Sequence, residues 1–191
     1  MRRHWFFILL SLAERHPSPK DLLIEVNRVI ADNLDSRSFI TMTYAVLDLD
    51  AATVTYARAG HTPMIYLPAN GPDRGHAQVL QPGGLVLGLH IDGIQERFVD
   101  LLEEQTLHVG RGDVFVLYTD GVTEAMNQEQ ELFGEARLSR IVEEHGHLRS
   151  AELRERILRE VESFVGPADQ HDDLTLILVK VMEVGAAVAV A

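Results

Sequence analysis

No cysteine occurs anywhere in the 191 residues. Disulfide scaffolds and thiolate metal sites are therefore excluded, and the composition fits a cytoplasmic protein. Basic residues are also scarce: 17 Lys and Arg stand against 29 Asp and Glu, a formal net charge of −12. Nucleic acid is not an expected partner, because phosphate backbones need a basic face. No apolar run is long enough to span a bilayer, so no membrane association is expected either. Internal repeats and linkers are lacking, which points to one domain. What is present, 46% hydrophobic and 24% charged residues, is ordinary for a globular chain with a full core. Without sulfur, the metal chemistry left open is that of hard cations held by carboxylate oxygens.

Along the chain, Met1-Arg2-Arg3-His4 followed by an apolar stretch to Ala13 fits either a short secretory signal or a buried helix stopping before Pro17 and Pro19. Ser18 and Pro19 then mark a helix start. Leu22, Leu23, Val26, Val29, Ile30 and Leu34 recur on its inner face, with Glu25, Asn27, Arg28 and Asp32 outside. Residues 39–49 and 53–57 predict a β-hairpin, 64–67 and 77–80 further strands, and 98–109 another. Pro82-Gly83-Gly84 opens a glycine-bearing segment that lacks the Lys-Ser/Thr ending of a phosphate loop and reads as a plain loop. Helices are expected from about residue 132, with Leu138, Ile141 and Val142 inward, and from Ser150 as N-cap to about Val165.

The chemistry concentrates in two places. Asp113-Val114-Phe115-Val116-Leu117 predicts a buried strand that carries Asp120 to its end, where Gly121 permits a close approach. Near the C-terminus, His171-Asp172-Asp173 precedes the apolar run 174–179, again acid meeting strand. If the two strands are neighbours, Asp120 and Asp172 converge at one rim of a sheet, with Asp173 beside them. Converging carboxylates repel unless protonated or bridged by cations, and an oxygen-only site suits Mg²⁺ or Mn²⁺. Spacing alone equally allows two unrelated turn acids, since Asp-Gly is a common turn dipeptide. His61, in Ala59-Gly60-His61-Thr62-Pro63, is either a ligand or base, or simply a hydrogen-bonded structural group.

Six ordered runs go further than spacing. They are Phe39-Ile40-Thr41 with Ala45-Val46-Leu47-Asp48; Tyr56-Ala57-Arg58-Ala59-Gly60-His61-Thr62-Pro63; Pro82-Gly83-Gly84 with Leu87-Gly88-Leu89; Gly112-Asp113 leading to Leu117-Tyr118-Thr119-Asp120-Gly121-Val122-Thr123-Glu124-Ala125; Leu132-Phe133-Gly134; and Asp172-Asp173-Leu174-Thr175. Together they make the chain, from about Pro19 to Val181, resemble the SpoIIE-like branch of the PP2C (PPM) metal-dependent protein serine/threonine phosphatases. The resemblance implies an α+β fold, an α/β/β/α sandwich of two antiparallel sheets flanked by helices, within residues 1–182 and followed by a tail, 183–191. It implies a two-metal Mn²⁺ or Mg²⁺ centre in which Asp120 and Asp172 match metal-binding aspartates and Asp173 is the neighbouring acid. No covalent enzyme intermediate is needed, because water activated by the metals attacks phosphorus directly. The substrates implied are phosphoserine or phosphothreonine proteins of the anti-sigma-antagonist (STAS) type, in sigma-factor signalling.

The family's N-terminal Gly-Asp-x-x-Gly-His/Lys-Gly segment, whose aspartate bridges both metals, has no counterpart in these residues. The chain is thus expected to begin just after it, with residues 5–13 as the following helix rather than a signal. Sheet edges left open in this way predict a homo-oligomer. They also leave two expectations for the chain itself, a phosphatase or a catalytically impaired relative that binds a regulatory partner.

Overall fold

The computed structural model describes residues 9–31, 33–35, 37–168 and 172–183, which form two compact units. The first holds the chain up to His61 together with Pro82–His108; the second holds Thr62–Gln81 and the chain from Val109 onward.

In the first unit, residues 9–13 are helical and residues 1–8 lie outside the described set. Helix α1 (Pro19–Ala31) starts as its sequence predicts, the Ser18 hydroxyl accepting the Asp21 N–H at 3.1 Å. Leu22, Leu23, Val26 and Ile30 are buried at helical spacing and pack with Ala57, Ala59, Leu87, Phe98 and Leu102. Asn27 departs from the expected outer face. It is buried, accepting the Gly88 N–H at 2.8 Å and donating to Gln95 at 2.9 Å. A side chain at Gly88, which has φ +81, would collide with Leu34 and Ile30, so this loop can lie flat on the helix only with glycine there.

The predicted hairpin is present as β1 (Met42–Asp48) and β2 (Thr53–Ala59), paired antiparallel from Met42↔Ala59 to Asp48↔Thr53. Its turn is held by the Asp48 carboxylate, which accepts the N–H groups of Asp50 and Ala51. The strand expected over 98–109 is mostly wrong. Residues Ile94–Leu101 form helix α2, and only Glu104–His108 is a strand, β5, which pairs with β2. Phe98 and Leu102, four apart, are both buried, whereas Val99 and Leu101 are exposed; burial follows a helical period here, not alternation.

The second unit contains a four-stranded antiparallel sheet in the order β4-β3-β6-β7. The strands are β3 (Met64–Leu67), β4 (Gln78–Leu80), β6 (Val114–Tyr118) and β7 (Leu176–Lys180). Helices α4 (Glu135–His145) and α5 (Ser150–Val165) supply Leu138, Ile141, Val142, Leu153, Ile157 and Val161 to a core shared with Ile65, Val114 and Val116. The N-cap of α5 is Arg149, one residue earlier than expected, and Glu152 accepts its N–H at 3.1 Å. At the start of β6, buried Asp113 accepts the Tyr66 hydroxyl and the N–H groups of Ala69 and Gly110 at 2.7–2.8 Å. Burial raises the Tyr66 phenol's pKa, and this bond to Asp113 adds to the effect.

Candidate functional site

The two acid-bearing segments meet because β6 and β7 are neighbours, with Tyr118 paired to Leu176. The pairing continues past the strands. Thr119 N–H donates to the Thr175 carbonyl at 3.1 Å, and Thr175 N–H donates back to the Thr119 hydroxyl at 3.0 Å. That hydroxyl in turn donates to the Asp173 carbonyl at 3.2 Å. Thr119 therefore fastens the end of one segment to the start of the other. It stood in the sequence motif without an assigned role.

From Thr119, still extended, the chain winds into a single helical turn, α3 (Asp120–Thr123), closed by Glu124 N–H donating to the Asp120 carbonyl at 2.7 Å. The turn presses buried Gly121 onto the second segment, where an added Cβ would lie 2.5 Å from the Asp173 carbonyl oxygen. Backbone that close leaves no room for any side chain. Asp120, Asp172 and Asp173 are all exposed, so their charges are solvated. One Asp120 oxygen accepts the Gly121 N–H at 3.0 Å, and one Asp172 oxygen accepts the Asp173 N–H at 2.7 Å.

The residues after α3 fold back under their own hydrogen bonds, Phe133 N–H to the Ala125 carbonyl and Gly134 N–H to that of Thr123. Arg137 ties this loop to α5: its guanidinium donates to the carbonyls of Leu132 and Phe133 and lies 4.4 Å from the centre of the Phe164 ring. Behind the motif, the buried Tyr118 phenol donates to Glu135, and burial first, then that carboxylate's charge, raises its pKa. Beside the acids lies a cavity of about 560 Å³, lined by both segments, the fold-back loop and the end of α5.

Carboxylate oxygens without nitrogen or sulfur donors are the donor type that Mg²⁺ and Mn²⁺ accept. Among the described residues no group of three or more His, Asp or Glu side chains that could hold a metal ion comes together. His171 lies outside the described residues. His61 sits in the first unit, its Nδ1 3.2 Å from the Thr41 hydroxyl and its carbonyl accepting Arg58 at 2.5 Å. No described helix is long and apolar enough to cross a membrane.

Comparison with known proteins bears on the family and the fold. The family model for Stage II sporulation protein E (SpoIIE) matches residues 6–182. Phosphoserine phosphatase RsbU of Bacillus subtilis is 34% identical over 173 residues, 89% of this chain and 47% of that protein. The chain thus spans about half the length of that relative. Among solved structures, the SiaA-PP2C domain of Pseudomonas aeruginosa matches with a TM-score of 0.74 at 17% identity, covering 90% of this chain and 65% of that one. The phosphatase domain of SpoIIE from Bacillus subtilis, presoaked in Mn, matches with a TM-score of 0.62 at 16% identity, covering 94% and 74%. The fold of two antiparallel sheets flanked by helices is that of PP2C phosphatase domains.

Proposed function

The chain belongs to the SpoIIE family, and on that premise we propose that residues 1–182 form a metal-dependent protein serine/threonine phosphatase domain. Its substrate would be phosphoserine or phosphothreonine on a regulatory protein of the anti-sigma-antagonist (STAS) type. The observation that supports the reading is the junction of Thr119 and Gly121 with Asp173, which seats the backbone of the Asp120 turn against the Asp172-Asp173 segment. The name of the relative RsbU, a phosphoserine phosphatase, supports the activity, and the Mn-presoaked SpoIIE phosphatase domain supports the cation.

In this reading Asp120 and Asp172 hold Mn²⁺ or Mg²⁺, with Asp173 beside them. When bound, such an ion polarises the phosphoryl group and acidifies water for attack on phosphorus. The chain's own part is positional. Thr119 fixes the spacing of the two segments, and Gly121 lets their backbones touch. The solvated rim leaves an approach for a phosphorylated loop.

That no group of three or more acids or histidines comes together among the described residues favours a second reading: a partner-binding relative with impaired hydrolysis. Exposed Leu47 on edge strand β1 and Ile177 on edge strand β7 support self-association as a homo-oligomer. Release of phosphate from a phosphoserine peptide, with and without Mn²⁺, tests the main reading. Metal-dependent turnover that falls at least a hundredfold in Asp172→Asn is expected. Binding of the peptide without turnover at any Mn²⁺ concentration would favour the second reading instead.

A further inference from the structure

The 560 Å³ cavity is within the size range of ligand sites, roughly 300–1,000 Å³, and far larger than a water-filled packing defect. Its walls are aliphatic: Ala125 and Met126 after α3, Leu132 across the fold-back, Val161 and Val165 on α5, and Leu174 before β7. Val161 is buried and most of the others half-buried, so the walls are set by the core. Three exposed carboxylates, Glu124, Glu162 and Asp172, also line it. A phosphate would be repelled by those acids and meets no basic or hydroxyl side chain among the lining residues. An apolar side chain accompanied by a cation suits both, the stem on the walls and the charge at the carboxylates.

Two lining residues, Gly121 and Asp172, also belong to the acid rim. Whatever fills the cavity therefore lies next to Asp172 and the turn that follows Asp120. We infer that the cavity is a specificity pocket for the phosphorylated protein, taking an apolar side chain one or two residues from the phosphoserine with a Lys or Arg adjoining it. The inference rests on the phosphatase reading for the placement of the phosphoserine, but the pocket's preference can be measured without turnover.

The test uses the full chain with Mn²⁺ and fluorescent peptides carrying a non-hydrolysable phosphoserine mimic. Leu-Arg, Leu-Asp and Gly-Gly occupy the positions before or after the mimic, and binding is followed by anisotropy. The Leu-Arg peptide should bind about tenfold more tightly than Gly-Gly in one of the two placements, with Leu-Asp the weaker of the two leucine peptides. Ala125→Phe, which fills the pocket, and Glu162→Lys, at an exposed position, should each abolish the preference. Hydrolysis of a small aryl phosphate should be unchanged in both. Equal binding of all peptides, or a preference that survives both variants, would overturn the pocket assignment. A wild-type chain that shows the Leu-Arg preference yet hydrolyses no aryl phosphate would support the pocket and sink the phosphatase reading alone.

Discussion

Gly121 and Asp173 approach so closely that a Cβ on Gly121 would stand 2.5 Å from the Asp173 carbonyl oxygen. The obstacle is backbone, which cannot rotate aside as a side chain can. In Gly121→Ala the Asp172-Asp173 segment must move away from Asp120. The strain should cost about 1–3 kcal/mol of stability, typical of overpacking. Mn²⁺ affinity should fall at least tenfold by calorimetry while the far-ultraviolet circular dichroism stays native. Unchanged affinity would mean that the acids need not be held together.

Thr119→Val removes the hydroxyl that donates to Asp173 and accepts from Thr175, with little change of shape. Loss of this clamp leaves the strands paired but loosens the acid segment. Hydrogen exchange at Thr175 should rise, and phosphate release should slow about tenfold, the effect of roughly 1.4 kcal/mol. Thr119→Ser, which keeps the hydroxyl, should restore both.

Asp113 plays no part in the site but anchors its sheet. Its buried carboxylate satisfies two backbone N–H groups and the Tyr66 hydroxyl. Asp113→Ala leaves all three unsatisfied and should destabilise the chain by about 2–4 kcal/mol. The midpoint of urea unfolding should fall accordingly, with Asp113→Asn intermediate.

Much of this architecture was legible in the residues because local signals and burial agree. Ser18-Pro19 starts α1, and the Asp48 turn makes the hairpin. The apolar runs either side of Asp120 and Asp172 are the neighbouring strands β6 and β7. Residues 98–109 read as a strand although Leu101-Leu102-Glu103-Glu104 blurs the alternation, and that blur is where α2, short and with Phe98 as its one buried residue, gives way to β5. Asn27 looked like an outer-face residue because a helical wheel cannot show that a loop at Gly88 needs an acceptor there. The role of Thr119 was hidden for a similar reason. A threonine beside an aspartate is unremarkable until the partner strand is in place.

Alkaline pH should weaken the fold. Burial pushes the Tyr56 phenol up to about 12 and raises those of Tyr66 and Tyr118, from an ordinary value near 10. The folded pKa lies above the unfolded one, so the stabilisation is fully present below pH 10 and is lost as pH rises through the folded values. Urea midpoints should be flat between pH 8 and 9.5 and fall from about pH 10 upward. Tyr56→Phe should shallow that fall. A midpoint that does not change up to pH 12 would contradict the assignment.

The most direct test is a calorimetric titration of the chain with Mn²⁺, with aryl phosphate hydrolysis followed in the same samples and Asp120→Asn alongside. Asp120 and Asp172, on segments joined by Thr119 and Gly121, should bind Mn²⁺ with accompanying turnover, and Asp120→Asn should lose both. Binding or turnover that Asp120→Asn leaves intact would contradict the account, because the ion would then be held elsewhere.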